Sequence, residues 1–111
     1  MVTTLQQEIK QTKPFTSLEQ EAHLSVIRTA AILADEVDQF LRPFGLTGTQ
    51  YNVLRILRGA EPDGLCRNEV RDRMLTRMPD MTRLLDRMED AGLVVRTRER
   101  DDRRMVRTRI A

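Results

Sequence analysis

A mainly α fold closed by a small β-hairpin is predicted by three features of this sequence. Apolar residues recur at three- and four-residue steps from about residue 16 to residue 91, the spacing of helix faces. The period then changes to two short β-branched runs, 94–98 and 105–110, with a charged stretch between them. Aromatics make up only 4% and Trp is absent, so the core must come from Leu, Val, Ile, Met and Ala. That set favours helices over a β-sandwich. A length of 111 residues, 40% hydrophobic and 32% charged, suits one soluble domain.

Residues 1–15 are polar, lack periodicity and read as a flexible N-terminal arm. Thr16-x-x-Glu19 and Ser17-x-x-Gln20 are overlapping capping boxes, which predict a helix start there. The helix can run to about Arg42, where Pro43 and Gly45 stop it. Its apolar positions are Ile27, Ala30, Ala34, Val37 and Leu41, together with Val26, Leu33 and Phe40. So broad a face exceeds what one side of a small domain covers, and it points to a partner chain. Packing within this chain is the simpler alternative.

Thr47-x-x-Gln50 opens a second helix, with Tyr51, Val53, Leu54 and Leu57 before Gly59. The turn cluster Glu61-Pro62-Asp63-Gly64 follows. Residues 65–75 read as a short helix with Val70, Met74 and Leu75 inward, and Thr76-Arg77 as a link. Proline suits a first helical turn, so Met78-Pro79 predicts a helix from there to Ala91, with Gly92 as its C′ residue. Helices followed by a basic two-stranded hairpin, with a tip at residues 99–104, describe a winged helix-turn-helix, an α+β arrangement.

Charge is distributed unevenly. Residues 1–65 hold six Lys/Arg against eight Asp/Glu, whereas residues 66–111 hold thirteen Arg against nine acids. Arg can fork onto phosphate or guanine where Lys acts as a point charge. On the predicted helix 79–91, Met81, Leu84, Leu85 and Met88 share one side. Pro79, Thr82, Arg83, Asp86, Arg87 and Asp90 share the other, offering two arginines and a hydroxyl to a major groove. At the hairpin tip, Asp102-x-Arg104 lets a carboxylate orient a guanidinium for a narrow minor groove. Arg103 and Arg107 can reach flanking phosphates, and Arg96, Arg98 and Arg109 add a basic field at the wing base. Arg77, just before the helix, joins the candidate DNA contacts. A salt-bridged, solvated surface is the alternative for the hairpin, and the helix beside it favours DNA.

Taken together, Leu46-Thr47-x-x-Gln50-Tyr51-x-Val53-Leu54, Thr82-Arg83-Leu84-x-Asp86-x-Met88-Glu89-x-x-Gly92-Leu93-Val94-x-Arg96 and Asp102-Arg103-Arg104 resemble the MarR (multiple antibiotic resistance regulator) family. The resemblance covers about residues 20–110. It implies an obligate homodimer, a palindromic inverted-repeat operator on double-stranded DNA, and repression relieved by a ligand. By position, Thr82 and Arg83 would read the major groove and Arg87 would contact backbone or bases. Arg104 would be the wing-tip arginine oriented by Asp102. Effectors in such proteins are often small aromatic acids or phenols held between the dimerisation helices and the DNA-binding lobe. The candidate lining here is Phe40, Phe44, Tyr51 and Arg55. Residues 16–45 are then a dimerisation helix and residues 46–111 a winged helix-turn-helix DNA-binding domain.

Two departures stand out. Cys66 occupies a cap position where the family usually has Ser or Thr, with Glu69 at capping-box spacing; a thiol is the poorer cap. A redox role for Cys66 is the minor alternative to an inert thiol, since the peroxide-sensing branch carries its cysteine near the first helix. The chain also stops at Ile110-Ala111, where family members continue into two more dimerisation helices, so a fragment is expected.

Other classes have less support. A winged-helix protein–protein module is the runner-up, but it would not need an arginine-only wing. His23 is the only histidine and Cys66 the only cysteine; no phosphate loop, nucleophile elbow or metal spacing is present. Neither enzyme, cofactor nor metal is expected. Without an apolar run of about 18–20 residues or a signal-peptide core, a cytoplasmic protein without a membrane partner is expected.

Overall fold

Two reciprocal caps shape the N-terminal part of the computed structural model, which describes residues 2–102 and 104–111. The described chain divides into two compact units, residues 1–43 and 44–111. In the first, Thr4 and Gln7 close a capping box over a one-turn helix, α1 (Leu5–Glu8). The stretch expected to be an arm thus carries a helical turn; its box was hard to read because no apolar run follows it. The two overlapping boxes at residues 16–20 merge into one cap. Ser17 Oγ accepts from Gln20 N at 3.1 Å, while Gln20 Oε1 accepts from Thr16 N at 2.8 Å. Helix α2 (Leu18–Leu41) then runs for 24 residues. A 3-10 turn, Arg42–Phe44, and Gly45 at φ 73° end it, as Pro43 and Gly45 foretell.

In the second unit Thr47 and Gln50 form the expected capping box of α3 (Gly48–Arg58). Next comes a strand where a helix is expected: β1 (Leu65–Cys66). Helix α4 (Arg67–Arg73) is correspondingly shorter than residues 65–75. Met74 is already extended and Leu75 is exposed rather than inward. Buried Asn52 on α3 fixes this exit, its Oδ1 accepting from Leu75 N at 3.0 Å.

Helix α5 (Met81–Asp90) begins two residues after Pro79. Asp80 is the reason: its carboxylate accepts from Arg83 N at 3.0 Å, a better cap than the proline ring provides. Residues preceding a proline are also driven towards extended backbone, which keeps Met78 out of the helix. At the far end Gly92 N donates to Glu89 O (3.0 Å) and Leu93 N to Met88 O (2.9 Å). This is a Schellman motif, with Gly92 at φ 76° in the left-handed region where a side chain is strained.

Strands β2 (Val94–Arg98) and β3 (Val106–Ile110) pair antiparallel as predicted, Arg96 opposite Thr108. The sheet has three strands, however, in the order β1-β3-β2. Leu65 lies opposite Thr108 and Cys66 opposite Arg107, so β3 is central. Gly64, at φ 76°, allows this approach: a Cβ there would meet Thr108 O at 2.6 Å. Val53, Leu57, Leu65, Val70, Met81, Leu85, Met88 and Val94 form the buried core between the three helices and the sheet. Burial of Met81, Leu85 and Met88 fixes which side of α5 faces outward.

Candidate nucleic-acid interface

That outward side begins in the first turn of α5. With Asp80 as cap, Thr82 and Arg83 are the second and third residues of the helix, and Arg87 lies one turn beyond Arg83. All three are exposed. Among the described residues Arg83 and Arg87 have no ion-pair partner, so both guanidinia remain available to an anion. Arg77 and Pro79, expected on or beside the helix, lie exposed in the turn that leads to Asp80.

Asp90 stays exposed at the end of that side, while Asp86 and its neighbour Glu89 are turned towards the wing. Arg96 Nη2 on β2 donates to Asp86 Oδ1 at 2.6 Å and to Glu89 Oε1 at 2.9 Å. The hydrogen bond from Arg96 holds the Glu89 carboxyl below the usual carboxylate range. Glu89 in turn, helped by Asp86, raises the Arg96 guanidinium. Arg96 is therefore a neutralised brace between helix and wing, not part of the free basic field expected at the wing base.

Arg107, expected at a flanking phosphate, and Arg109, expected at the wing base, are likewise engaged. Arg107 pairs through Nε with Glu99 and donates from Nη1 to Gly64 O at 3.4 Å. Arg109 donates to Pro62 O at 3.1 Å and to Thr97 Oγ1 at 2.7 Å. Half of this comes from the third strand. As the middle strand, β3 has neighbours on both sides: Gly64 O and Pro62 O lie on the segment leading into β1, whereas Glu99 and Thr97 belong to the hairpin itself.

At the wing tip Asp102 Oδ1 accepts the backbone N–H of Arg104 at 3.0 Å. The carboxylate thus fixes the turn through the backbone and does not orient the guanidinium as expected. Glu99 N to Met105 O (2.9 Å) and Met105 N to Asp102 O (3.0 Å) close the loop. Arg104 itself is exposed. The expected phosphate contact Arg103 lies outside the described residues.

Between α4, α5 and the wing lies an open cleft of about 380 Å³. Arg67, Arg96 and Arg104 line it with Asn68 and Thr82, and its described lining contains no Asp or Glu. Arg67 was missed in the sequence. It opens α4 and donates from Nη1 to Thr82 Oγ1 at 2.8 Å, a link across 15 residues that no local spacing reveals. At Cys66 the carboxylate half of the box forms, Cys66 N donating to Glu69 Oε1 at 3.1 Å. The Cys66 thiol, and then its backbone N–H, hold the Glu69 carboxyl below its ordinary range.

The remaining candidates fall in both units. Phe40 is on α2 in the first unit, Phe44 is in the 3-10 turn, and Tyr51 and Arg55 are exposed one turn apart on α3.

Comparison with known proteins agrees with this geometry. Residues 44–105 match the MarR family model. The HTH-type transcriptional regulator PrsX of Escherichia coli is 33% identical over 78 residues, which cover 70% of this chain and 47% of PrsX. The chain thus spans about half the length of that relative. Among solved structures, a MarR transcription factor from Planctomyces limnophilus is 40% identical, with TM-score 0.72 over 88% of this chain and 70% of that one. Reduced AbfR bound to DNA is 26% identical, with TM-score 0.73 over 85% of this chain and 68% of that one. The winged helix-turn-helix read from the sequence is the fold of these proteins, and the chain belongs to the MarR family.

Proposed function

We propose that this chain is the DNA-binding part of a transcription regulator, with α5 entering the major groove and the wing tip the adjacent minor groove. One observation carries the reading: Arg83 and Arg87 stand exposed, without an ion-pair partner among the described residues, on a helix whose opposite side is anchored in the core. Of the acids beside them, Asp86 and Glu89 are drawn off by Arg96, which leaves Asp90, at the end of the helix, as the exposed acid on that side. The basic cleft beside the helix and the DNA-bound state of AbfR point the same way.

In the same proposal two copies act together on an inverted repeat. Val26, Ile27, Leu33 and Val37 lie exposed along α2, an apolar strip of the kind a partner chain covers. Repression relieved by a small aromatic or phenolic effector is the part carried by family resemblance, and Tyr51 and Arg55 are the residues to change in an effector test.

The DNA reading is tested by measuring duplex affinity of Arg83→Ala and Arg104→Ala against the parent protein at physiological salt. Each should weaken binding by about tenfold, the scale of one charge-assisted hydrogen bond, with unchanged thermal unfolding. Unaltered binding by both variants would move the function to the protein-interaction alternative.

A further inference from the structure

Thr82 does not face the cleft as an ordinary hydroxyl. A free threonine offers one O–H donor and two acceptor lone pairs, so it tolerates either kind of base edge. Here Arg67 Nη1 donates to Thr82 Oγ1 at 2.8 Å. A guanidinium can only donate, so one lone pair is occupied and the hydroxyl proton must point elsewhere. That proton has no acceptor among the described residues. The cation beside the oxygen also polarises the O–H, making it a stronger donor and the oxygen a weaker acceptor. An amino group approaching the remaining lone pair would bring partial positive charge up to a guanidinium.

We propose that Arg67 is a positioning residue that determines specificity through Thr82, committing the Thr82 hydroxyl to donate to an acceptor on a base edge. This rests on the DNA reading of α5. In the major groove guanine presents O6 and N7, thymine O4 and adenine N7 beside its amino group, whereas cytosine presents only the N4 amino donor. The pair therefore selects against cytosine, most strongly in favour of guanine or thymine, at the one position per half-site that Thr82 faces. Arg67 sits on α4, not α5, so the specificity of the recognition helix is set partly from the neighbouring helix.

The test is selection of bound duplexes from a randomised pool by the parent protein, Arg67→Ala, Thr82→Val and the double variant, followed by affinities for guanine- and cytosine-substituted duplexes. Arg67→Met retains the side-chain stem and repeats the test should the alanine variant be unstable. The parent should favour guanine over cytosine at one position by about five- to tenfold, the scale of one net hydrogen bond. Arg67→Ala should bring that ratio to within about twofold while other positions keep theirs, and the double variant should match Thr82→Val there. If Arg67→Ala instead weakens all duplexes evenly and lowers the salt slope by about one, Arg67 is a phosphate contact and the proposal is wrong. If the parent selects no sequence, the DNA reading fails and the proposal with it, an outcome distinct from the even loss.

Discussion

Arg96 on β2 donates to Glu89 on α5 at 2.9 Å, so the base of the wing and the last turn of α5 are held by one guanidinium. The Glu89 carboxyl is depressed by that bond, and the sign of its pH effect follows. Its contribution to the tether is present above the ordinary carboxylate range and is lost as pH falls through the depressed folded value. Carboxyl NMR titration should find Glu89 below the usual range, and Arg96→Gln should move it back up. A midpoint unmoved by Arg96→Gln would show that the brace does not form in solution.

Asn52 carries a second prediction. Its buried amide oxygen takes the Leu75 N–H and so sets where α4 ends and the turn to α5 begins. Asn52→Ala leaves that N–H without its partner and should destabilise the fold by about 1–3 kcal/mol in urea unfolding. Amide exchange at Leu75 should quicken well beyond that at the buried end of α5. Equal changes at both would indicate global destabilisation, not release of this turn.

Much of this was legible in the sequence because it is local. Thr47 and Gln50 lie three residues apart, Gly92 immediately follows its helix, and the spacing of Met81, Leu85 and Met88 identifies the buried side of α5 without any knowledge of its neighbours. What was hidden is non-local. Leu65–Cys66 becomes a strand because β3, over forty residues later, offers it an edge, and isolated residues 65–75 look like a helix. The same missing strand concealed the bonds of Arg107 to Gly64 O and of Arg109 to Pro62 O. Asp80 was concealed differently: Pro79 is a familiar helix opener, and the aspartate beside it won the cap. The Arg67 bond to Thr82 joins two helices across a turn and leaves no periodic trace.

The difference between engaged and open arginines gives a third prediction. Arg104 is exposed at the wing tip, whereas Arg107 is committed to Glu99 and Gly64. Arg104→Ala should flatten the dependence of log affinity on log salt by about one unit and leave unfolding unchanged. Arg107→Ala should instead lower the unfolding midpoint and leave the slope nearly intact. The opposite pattern would restore Arg107 to the phosphate role that a two-stranded hairpin suggests.

The most direct measurement is to titrate the protein, across a salt series, against a pool of duplexes bearing inverted half-sites about 10 base pairs apart centre to centre. The account predicts enrichment of one half-site sequence and a log–log salt slope of several units, as expected when several arginines displace phosphate counterions. Binding without sequence enrichment, or no binding at physiological salt, would contradict the central claim and leave the winged helix as a surface for another protein.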